Sequence, residues 1–414
     1  MSNKLFICLV LILLCKHAYM QNIQTIKGQI SCSNDTITIP YAHIGILGTG
    51  IGTVSNINGN FELKGQFNFE KDTLMISHIE YEKKLIPISK LAADTNFIKL
   101  VRNEYLLADV IVLPDDKKKE IFKNVIKNLK NNYPDKLYQC EAFYREIQYQ
   151  KRTNKHTRLI ESAVNIQDGK TTSPLSKIKC SLLQFRKSDN FTEEHWGSKL
   201  LKKMLDLSPN HLHLLLVGNP IRYYKDRLHT SKFNPLTQRY KDKELKFALS
   251  HIIQKLDDQI YVFKSTQGIS CTFYINSKDY AILKYEEEMK SKTSLIFKSS
   301  YQYKKIDNKY YPAFYYNVSI TDYLKNSKGL GITESSLTFV NYSPDRKKFK
   351  RLRSKHVLPN EIDLYEQKME YDENFWANYN ILLDEPLEDK VISDLERKTS
   401  LQSQFKENAT NQNQ

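Results

Sequence analysis

The most informative stretch of this sequence is GTVSNINGNFEL, residues 52–63. Its Asn58-Gly59 pair tolerates the positive φ angles that a two-residue type I′ hairpin turn requires. After that pair, Phe61 and Leu63 alternate with polar neighbours, as in a strand that buries one face. The stretch therefore predicts a β-hairpin whose structural turn is formed by Asn58 and Gly59.

Other short strands surround this hairpin and are separated by turn-forming residues. The predicted strands span residues 26–32, 41–47, 52–55, 60–64, 73–78, 85–89, 97–101 and 107–113. Seven or eight short strands at this spacing are typical of two packed sheets. We therefore predict a seven- or eight-stranded β-sandwich over residues 21–105.

Three pieces of this region resemble the carboxypeptidase-regulatory-like domain. They are PYAHIGI at 40–46, the hairpin stretch at 52–63 and LMISHIEY at 74–81. The resemblance implies a transthyretin-like β-sandwich, and this domain is common in envelope proteins of Bacteroidetes. The family usually has glycine where Glu80 stands, so the turn at that point is expected to differ.

The remainder of the chain predicts an α+β region with a large antiparallel sheet. Residues 106–134 read as a linker strand and an amphipathic helix, capped by Asp115 or Asp116 and ended by Pro134. Residues 135–384 read as a β-rich domain with a helical insertion near 192–217, and residues 385–414 as a helix and a polar tail. Scattered motifs, such as AFYRE at 142–146 and NFWANYN at 374–380, resemble Bacteroidetes proteins that combine the regulatory-like domain with an uncharacterised β-rich region. The fold class is therefore mainly β with some α.

The first 20 residues have the pattern of a signal peptide. Lys4 precedes an apolar run from Leu5 to Cys15, which is too short to cross a bilayer as a helix. Cleavage is expected before Gln21, and lipidation at Cys15 is disfavoured because Leu14, not a small residue, precedes it. We expect an exported protein of the periplasm or outer membrane without a transmembrane helix in the mature chain.

The net charge and the cysteine count do not by themselves identify a class of partner or a disulfide pattern. The formal net charge is +15, but the lysines are spread along the chain without zinc-finger spacing or an RNA-binding strand, so no nucleic-acid partner is expected. Four cysteines follow the signal: Cys32, Cys140, Cys180 and Cys271. They allow three disulfide pairings or four free buried thiols.

Motifs of the common catalytic centres are missing from the sequence. None of the ten histidines begins HxxE, HExxH or HxxEH, and His211 and His213 are two apart, a spacing that separates them on a helix. Neither GxxxxGK[ST] nor GxGxxG is present. The cluster Glu286-Glu287-Glu288 reads as a solvated strand end. The sequence therefore predicts no catalytic residue, no cofactor and no metal.

Four charged and aromatic residues in the β-rich domain are the best candidates for a site. On a strand, Tyr144 and Glu146 would share one face while Arg145 would point to the other. If Glu161 lies on a neighbouring strand, it can pair with Arg145 across the sheet. The alternatives are a structural ion pair, which we favour, and a ligand contact.

These observations leave three functional readings. The first is a non-catalytic exported envelope protein with a binding or structural role, whose partner is an unknown envelope protein or glycan. The second is an accessory component of outer-membrane transport, because the regulatory-like domain often precedes TonB-dependent receptors. The third, a hydrolase, is disfavoured by the absence of motifs. The sequence does not fix the oligomeric state.

Overall fold

The fold is described from a computed structural model. It covers residues 24–56, 58–107, 113–169, 178–192, 211–222, 247–256, 258–265, 270–290, 295–320, 331–345, 347, 349–353, 356–359, 364–379 and 389–410. The predicted signal peptide, the lipidation candidate Cys15 and most of the predicted helical insertion near 192–217 lie outside these residues. The prediction of a mainly β chain with a large antiparallel sheet is confirmed.

The N-terminal region forms two small sheets. One has the order β4-β1-β7 and the other the order β3-β2-β5-β6. Strands β1 and β7 pair in parallel and the remaining pairs are antiparallel. The strands are β1 Gln24–Cys32, β2 His43–Ile46, β3 Gly52–Val54, β4 Asn60–Gly65, β5 Thr73–His78, β6 Tyr81–Pro87 and β7 Thr95–Leu100, with a short 3₁₀ turn at Ile88–Lys90.

Alternation along these strands produces the sandwich core. In β1, residues at every second position are buried, and in β7 the pattern is a strict exposed–buried alternation. The buried side chains form one cluster: Ile26, Ile30, Cys32, Ile39, Ala42, Ile44, Ile46, Phe61, Leu63, Phe67, Leu74, Ile76, Tyr81, Ile88, Ile98 and Leu100. The period of two seen in the sequence is thus the period of burial.

The predicted turn exists, but its type differs from the prediction. Gly59 has φ +75°, whereas Asn58 is not among the residues with positive φ. The Gly59 amide donates to the Asn56 carbonyl at 3.0 Å, and the Asn56 amide donates to the Asn60 carbonyl at 2.8 Å. The Asn56 side chain also accepts from the Asn58 and Asn60 amides, each at 2.8 Å. The connection is therefore a longer turn that ends on a left-handed glycine, because Asn56 supplies acceptors that a two-residue type I′ turn does not need.

Replacing Gly59 with alanine is expected to cost roughly 2–3 kcal/mol of stability. A Cβ at Gly59 would collide with the Ile30 carbonyl oxygen and lie 3.0 Å from the Thr38 Cβ, in addition to the strain of positive φ. Gly48 is a matched control, since it also has φ +75° but has no atom within 4 Å of a Cβ. Urea unfolding of both alanine variants measures the difference; equal losses would contradict the role assigned to the Ile30 contact.

The second region is built on one antiparallel sheet of eleven strands. Their order is β11-β10-β9-β18-β17-β16-β15-β14-β13-β12-β8. The strands are β8 Glu104–Leu107, β9 Tyr138–Gln150, β10 Lys155–Asp168, β11 Ile178–Lys187, β12 Phe247–Gln254, β13 Gln259–Ser265, β14 Ser270–Asn276, β15 Ile282–Lys290, β16 Leu295–Ile306, β17 Lys309–Ile320 and β18 Gly331–Ser343.

Strand β8 departs from the predicted sandwich. The eighth predicted strand spans residues 107–113, of which 108–112 lie outside the described residues; β8, which ends at Leu107, pairs with β12 and forms one edge of the large sheet. The described sandwich therefore has seven strands. Alternation predicts a strand but does not indicate which sheet it joins, because the pairing partner lies more than 140 residues away.

Five α-helices are described: α1 Asp115–Asn132, α2 His211–Val217, α3 Glu373–Asn378, α4 Asp389–Leu395 and α5 Leu401–Thr410. Helix α1 buries Ile121, Phe122, Val125 and Leu129, as its predicted stripe requires. Its first residue is Asp115, and Pro114 precedes it without a side-chain cap, so the predicted aspartate cap is wrong. Asp115 and Asp116 instead lie in the first turn, where they interact favourably with the helix dipole.

The C-terminal end corrects another prediction. The sequence predicts a helix and a polar tail over residues 385–414, but after α4 the described residues form a second helix, α5, which buries Leu401, Phe405 and Ala409. With α4 it packs against Leu159 of β10. These three residues are four apart and fall on one helix face, so the polar residues between them conceal a short amphipathic helix.

The largest core cluster lies between α1, α2 and one face of the eleven-stranded sheet, which we call the inner face. The opposite, outer face carries helices α3, α4 and α5 over β9–β11. Among the described residues, no helix combines the length and apolar composition needed to span a membrane.

Candidate functional site

The four candidate residues of the sequence lie in the first strands of the large sheet, but they divide between its two faces. Arg145 and Glu161 are direct partners across β9 and β10 on the outer face. Tyr144 and Glu146 lie on the inner face of β9 with the main core. The structure therefore forms two separate polar clusters in place of one site.

The outer-face cluster is a three-residue ion pair network. Glu161 is 1% exposed, and its carboxylate accepts from Arg145 Nε at 2.7 Å and from Arg186 Nε at 2.6 Å. Burial alone would raise the pKa of Glu161, but the two arginines hold it below its usual value. Arg186 was not predicted, although it stands opposite Glu161 on β11.

Aromatic side chains cover this network. The Arg186 guanidinium lies over the Trp376 ring at 4.5 Å and over the Phe405 ring at 4.8 Å. Arg145 lies over Phe143 at 5.4 Å. Such cation–π contacts gain strength when water is excluded. The network thus fastens α3 and α5, which supply Trp376 and Phe405, to the outer face.

The inner-face cluster is centred on the buried carboxylate of Glu146. Arg158 donates to it at 2.6 Å, and the Tyr144 hydroxyl donates to it at 2.6 Å. Burial opposes ionisation, but Arg158 and His211 of α2 bring the pKa of Glu146 below its usual value. A carboxylate held ionised in this way is a poor proton donor or acceptor near neutral pH.

A second inner-face cluster was missed by sequence reasoning altogether. Arg222 is 2% exposed and pairs with Asp168, which is 4% exposed and also accepts from Tyr138 at 3.2 Å. Nearby, the Asn219 side chain donates to Tyr315 at 2.7 Å and accepts from Tyr303 at 2.6 Å. These contacts tie the segment 211–222 to three different strands of the sheet.

The other candidates do not assemble into a reactive centre. His211 is buried beside Glu146, and burial lowers the pKa of the half-buried His213. The three glutamates are not a strand end: they lie within β15, where Glu286 and Glu287 accept from tyrosines and Glu288 pairs with Lys290. Cys32, Cys140, Cys180 and Cys271 are buried thiols, and none of them forms a disulfide in the part of the chain that the structure describes. Within the described ranges, His, Cys, Asp and Glu form no group of three that could hold a metal ion.

The sandwich contacts the outer face of the large sheet. Tyr41 stacks on Phe314 of β17 with ring centroids 4.6 Å apart. Gly50 accepts from the Tyr342 amide, and a Cβ at Gly50 would meet the Tyr342 backbone at 2.6 Å. Ile79 joins an apolar cluster with β12, β13 and β14. We call this set of contacts between the sandwich and the large sheet the junction.

Two histidines and several lysines face each other at the junction. Burial, followed by repulsion from Lys304, lowers the pKa of His43 to about 3. Burial, followed by Lys284, His43 and Lys255, lowers the pKa of His78 to about 3. The His78 Nδ1 accepts from the Glu80 amide at 3.2 Å, an arrangement that requires that nitrogen to be unprotonated.

The protein is therefore expected to lose stability as the pH falls from about 6.5 towards 5. An unfolded histidine takes up a proton near pH 6.5, whereas His43 and His78 in the folded chain remain neutral until about pH 3. Stability is thus fully present above the unfolded pKa and declines below it, by up to about 1.4 kcal/mol per pH unit for each histidine. Urea unfolding at a series of pH values measures the slope.

The double variant His43→Gln/His78→Gln is the control for this slope. Protonation of Glu146 and Glu161 destabilises the fold only when the pH falls below about 4.5. These two residues therefore do not contribute to the change in stability between pH 6.5 and 5. His213 and His251 also have lowered pKa values and leave a residual slope. A wild-type slope unchanged in the double variant would contradict the assignment.

Comparison with known proteins assigns one part of the chain. Residues 26–112 match the family model of the CarboxypepD_reg-like domain. This match covers the seven-stranded sandwich and agrees with the resemblance in the sequence. It spans about a fifth of the 414 residues and therefore identifies this domain, not the whole chain.

Solved structures give only distant likenesses. A LolA superfamily protein from Nitrosomonas europaea is 12% identical, covers 61% of this chain and 100% of its own, and has a TM-score of 0.22. A Vibrio parahaemolyticus domain described as a putative outer membrane lipoprotein-sorting protein is 10% identical. The match covers 56% of this chain and 93% of that domain, with a TM-score of 0.23. A Bacteroides fragilis protein described as membrane-associated and of unknown function is 10% identical. The match covers 77% of this chain and 98% of that protein, with a TM-score of 0.15. Scores this low do not establish a shared fold, and no curated protein matches the chain.

Proposed function

We propose that this chain is a non-catalytic, exported cell-envelope protein that acts by binding a partner. The observation that carries the proposal is the internal pairing of its buried carboxylates: Glu146, Glu161 and Asp168 each lie against an arginine. General acid–base catalysis needs a group whose pKa lies near the working pH. Glu146 and Glu161, whose pKa values the arginines hold below the usual range, are unsuited to that task, and the pairing of all three carboxylates serves structure.

The domain match supports the envelope location and the binding role. Residues 26–112 match a CarboxypepD_reg-like domain, and that domain packs through the junction on the outer face of the large sheet. The inner face is filled by α1, α2 and the core cluster. A partner, which we expect to be another envelope protein or a glycan, would therefore bind an outside surface.

Crosslinking in intact cells tests the proposal. The tagged chain is expected in the envelope fraction with its N-terminus near Gln21, and to capture a defined partner only when crosslinking precedes solubilisation. Crosslinking after detergent treatment is the control. Recovery of the chain in the cytoplasm with residues 1–20 intact would contradict the proposal.

The mature protein is also expected to lack peptidase activity. Incubation with zinc and a mixed peptide library should leave every C-terminus untrimmed, since zinc hydrolysis needs clustered ligands and a carboxylate free to handle protons. Mass spectrometry of the peptides provides the measurement. Trimming that a chelator stops, and that disappears when one histidine is replaced, would overturn the non-catalytic assignment.

A further inference from the structure

One end of the eleven-stranded sheet carries a concentration of positive charge. Three hairpin turns meet there, at 255–258, 277–281 and 307–308, beside the C-terminal turns of α1. We call this the tip surface. Its exposed or half-exposed lysines are Lys123, Lys127, Lys130, Lys136, Lys255, Lys278, Lys305 and Lys309.

Hydrogen bonds hold these elements together as one continuous surface. The Asn132 side chain donates to the Asp279 carbonyl at 2.7 Å, and Lys309 Nζ donates to the Lys130 carbonyl at 2.8 Å. The Ser277 hydroxyl donates to Asp258 at 3.0 Å, linking the first two turns. The lysines are thus fixed relative to one another by the sheet.

The described acids on the tip surface do not balance these lysines. Asp279 pairs with Lys305 at 3.1 Å, and Asp135 pairs with Lys309 at 3.6 Å. Asp258 accepts from Ser277, and Asp307 lies in a turn. Eight lysines minus four aspartates leave an excess of four positive charges. Helix α1 contributes Lys123, Lys127 and Lys130 on its exposed side without an acid after Glu120.

An exposed apolar side chain lies on the same surface. Leu256, in the first turn, is 87% exposed, the most exposed of the large hydrophobic residues described. A lone exposed leucine is unremarkable on a monomer. Here it projects from a turn beside fixed positive charge, and this combination favours an anionic bilayer, where lysines meet headgroups and the leucine enters the interface.

We propose that the tip surface binds anionic phospholipid bilayers. The inference rests on the proposed envelope function and deepens it, because it names a lipid surface to which the exported chain is held. The outer-face helices, which lie over β9–β11, would then remain accessible to the partner proposed above.

Vesicle co-sedimentation of the mature chain tests this inference. We expect binding to phosphatidylcholine vesicles that contain about a third phosphatidylglycerol, little binding to pure phosphatidylcholine, and weaker binding as salt increases. The variant Lys123→Glu/Lys127→Glu/Lys278→Glu should bind at least tenfold more weakly. Leu256→Ser should reduce the binding that persists at high salt.

The matched control is Lys151→Glu/Arg152→Glu/Lys155→Glu. These residues are exposed in the β9–β10 turn at the opposite end of the sheet, and the net charge changes by the same amount. Binding within about twofold of wild type is expected, with unchanged melting of both variants. Equal loss in both variants, tight binding to DNA at the same salt, or no binding to anionic vesicles would overturn the inference. A chain that binds vesicles but fractionates with the cytoplasm would contradict the proposed function instead.

Discussion

Replacing Glu161 with glutamine is expected to lower the free energy of unfolding by about 3–5 kcal/mol. The carboxylate is the shared acceptor of Arg145 and Arg186, and it is itself almost fully buried. Glutamine has nearly the same shape but no charge. Arg186, which lies over the Trp376 and Phe405 rings, and Arg145 would therefore lose the negative charge that they share. Urea unfolding at pH 7 measures the loss.

The neighbouring residue Glu141 provides the control. Glu141 lies on the outer face of β9, four residues before Arg145, and in the described contacts its carboxylate accepts an exposed hydrogen bond from the Asn341 side chain at 2.9 Å. Glu141→Gln should change the free energy of unfolding by less than about 1 kcal/mol. If Glu161→Gln costs no more than Glu141→Gln, the network is a surface ion pair and does not fasten the C-terminal helices.

Glu161→Gln should first destabilise the helices that pack over the network, before it affects the rest of the sheet. Helices α3 and α5 contact β10 and β11 through Trp376 and Phe405, which cover Arg186. Hydrogen exchange is therefore expected to rise in residues 373–378 and 401–410 before it rises in β16 or β17. Uniform acceleration over the whole sheet would show that the network stabilises the fold globally.

Strand structure could be read from the sequence, but the pairing of charges mostly could not. Alternation identified the sandwich strands and a β-rich domain over residues 135–384 because burial follows a period of two. Alternation alone does not pair Arg145 with Glu161. That prediction also required the assumption that their two strands are neighbours in a register that sets these residues opposite each other. Arg186 was missed because nothing local connects it with Glu161, from which it is 25 residues away.

The errors share a physical cause, which is that long-range contacts replace local signals. Strand β8 joined the large sheet because β12 offered an edge, and the turn at Gly59 lengthened because the Asn56 side chain supplied acceptors. Helix α5 was the exception, since Leu401 and Phe405 were visible at helical spacing. A wider search for residues four apart would have found it.

The contact between Asp168 and Arg222 gives the second large expected effect. Asp168→Asn should lower the free energy of unfolding by about 3–5 kcal/mol. The reason is that Arg222, which is 2% exposed, would keep its positive charge in the core without the negative charge of Asp168. Asparagine can still accept from Tyr138, so the loss isolates the missing charge. Urea unfolding at pH 7 is again the measurement.

A double variant distinguishes a buried charge penalty from lost packing. Arg222→Met alone leaves Asp168 buried beside Tyr138, whereas Asp168→Leu/Arg222→Met removes both charges and keeps much of the volume. The double variant should be more stable than either Asp168→Asn or Arg222→Met, since apolar replacements of a buried pair are often neutral or stabilising. Losses that simply add would mean that the two residues act independently. A double variant near wild-type stability would instead indicate that the segment 211–222 is held mainly by its apolar residues and by Asn219, with the ion pair selecting its position on the inner face.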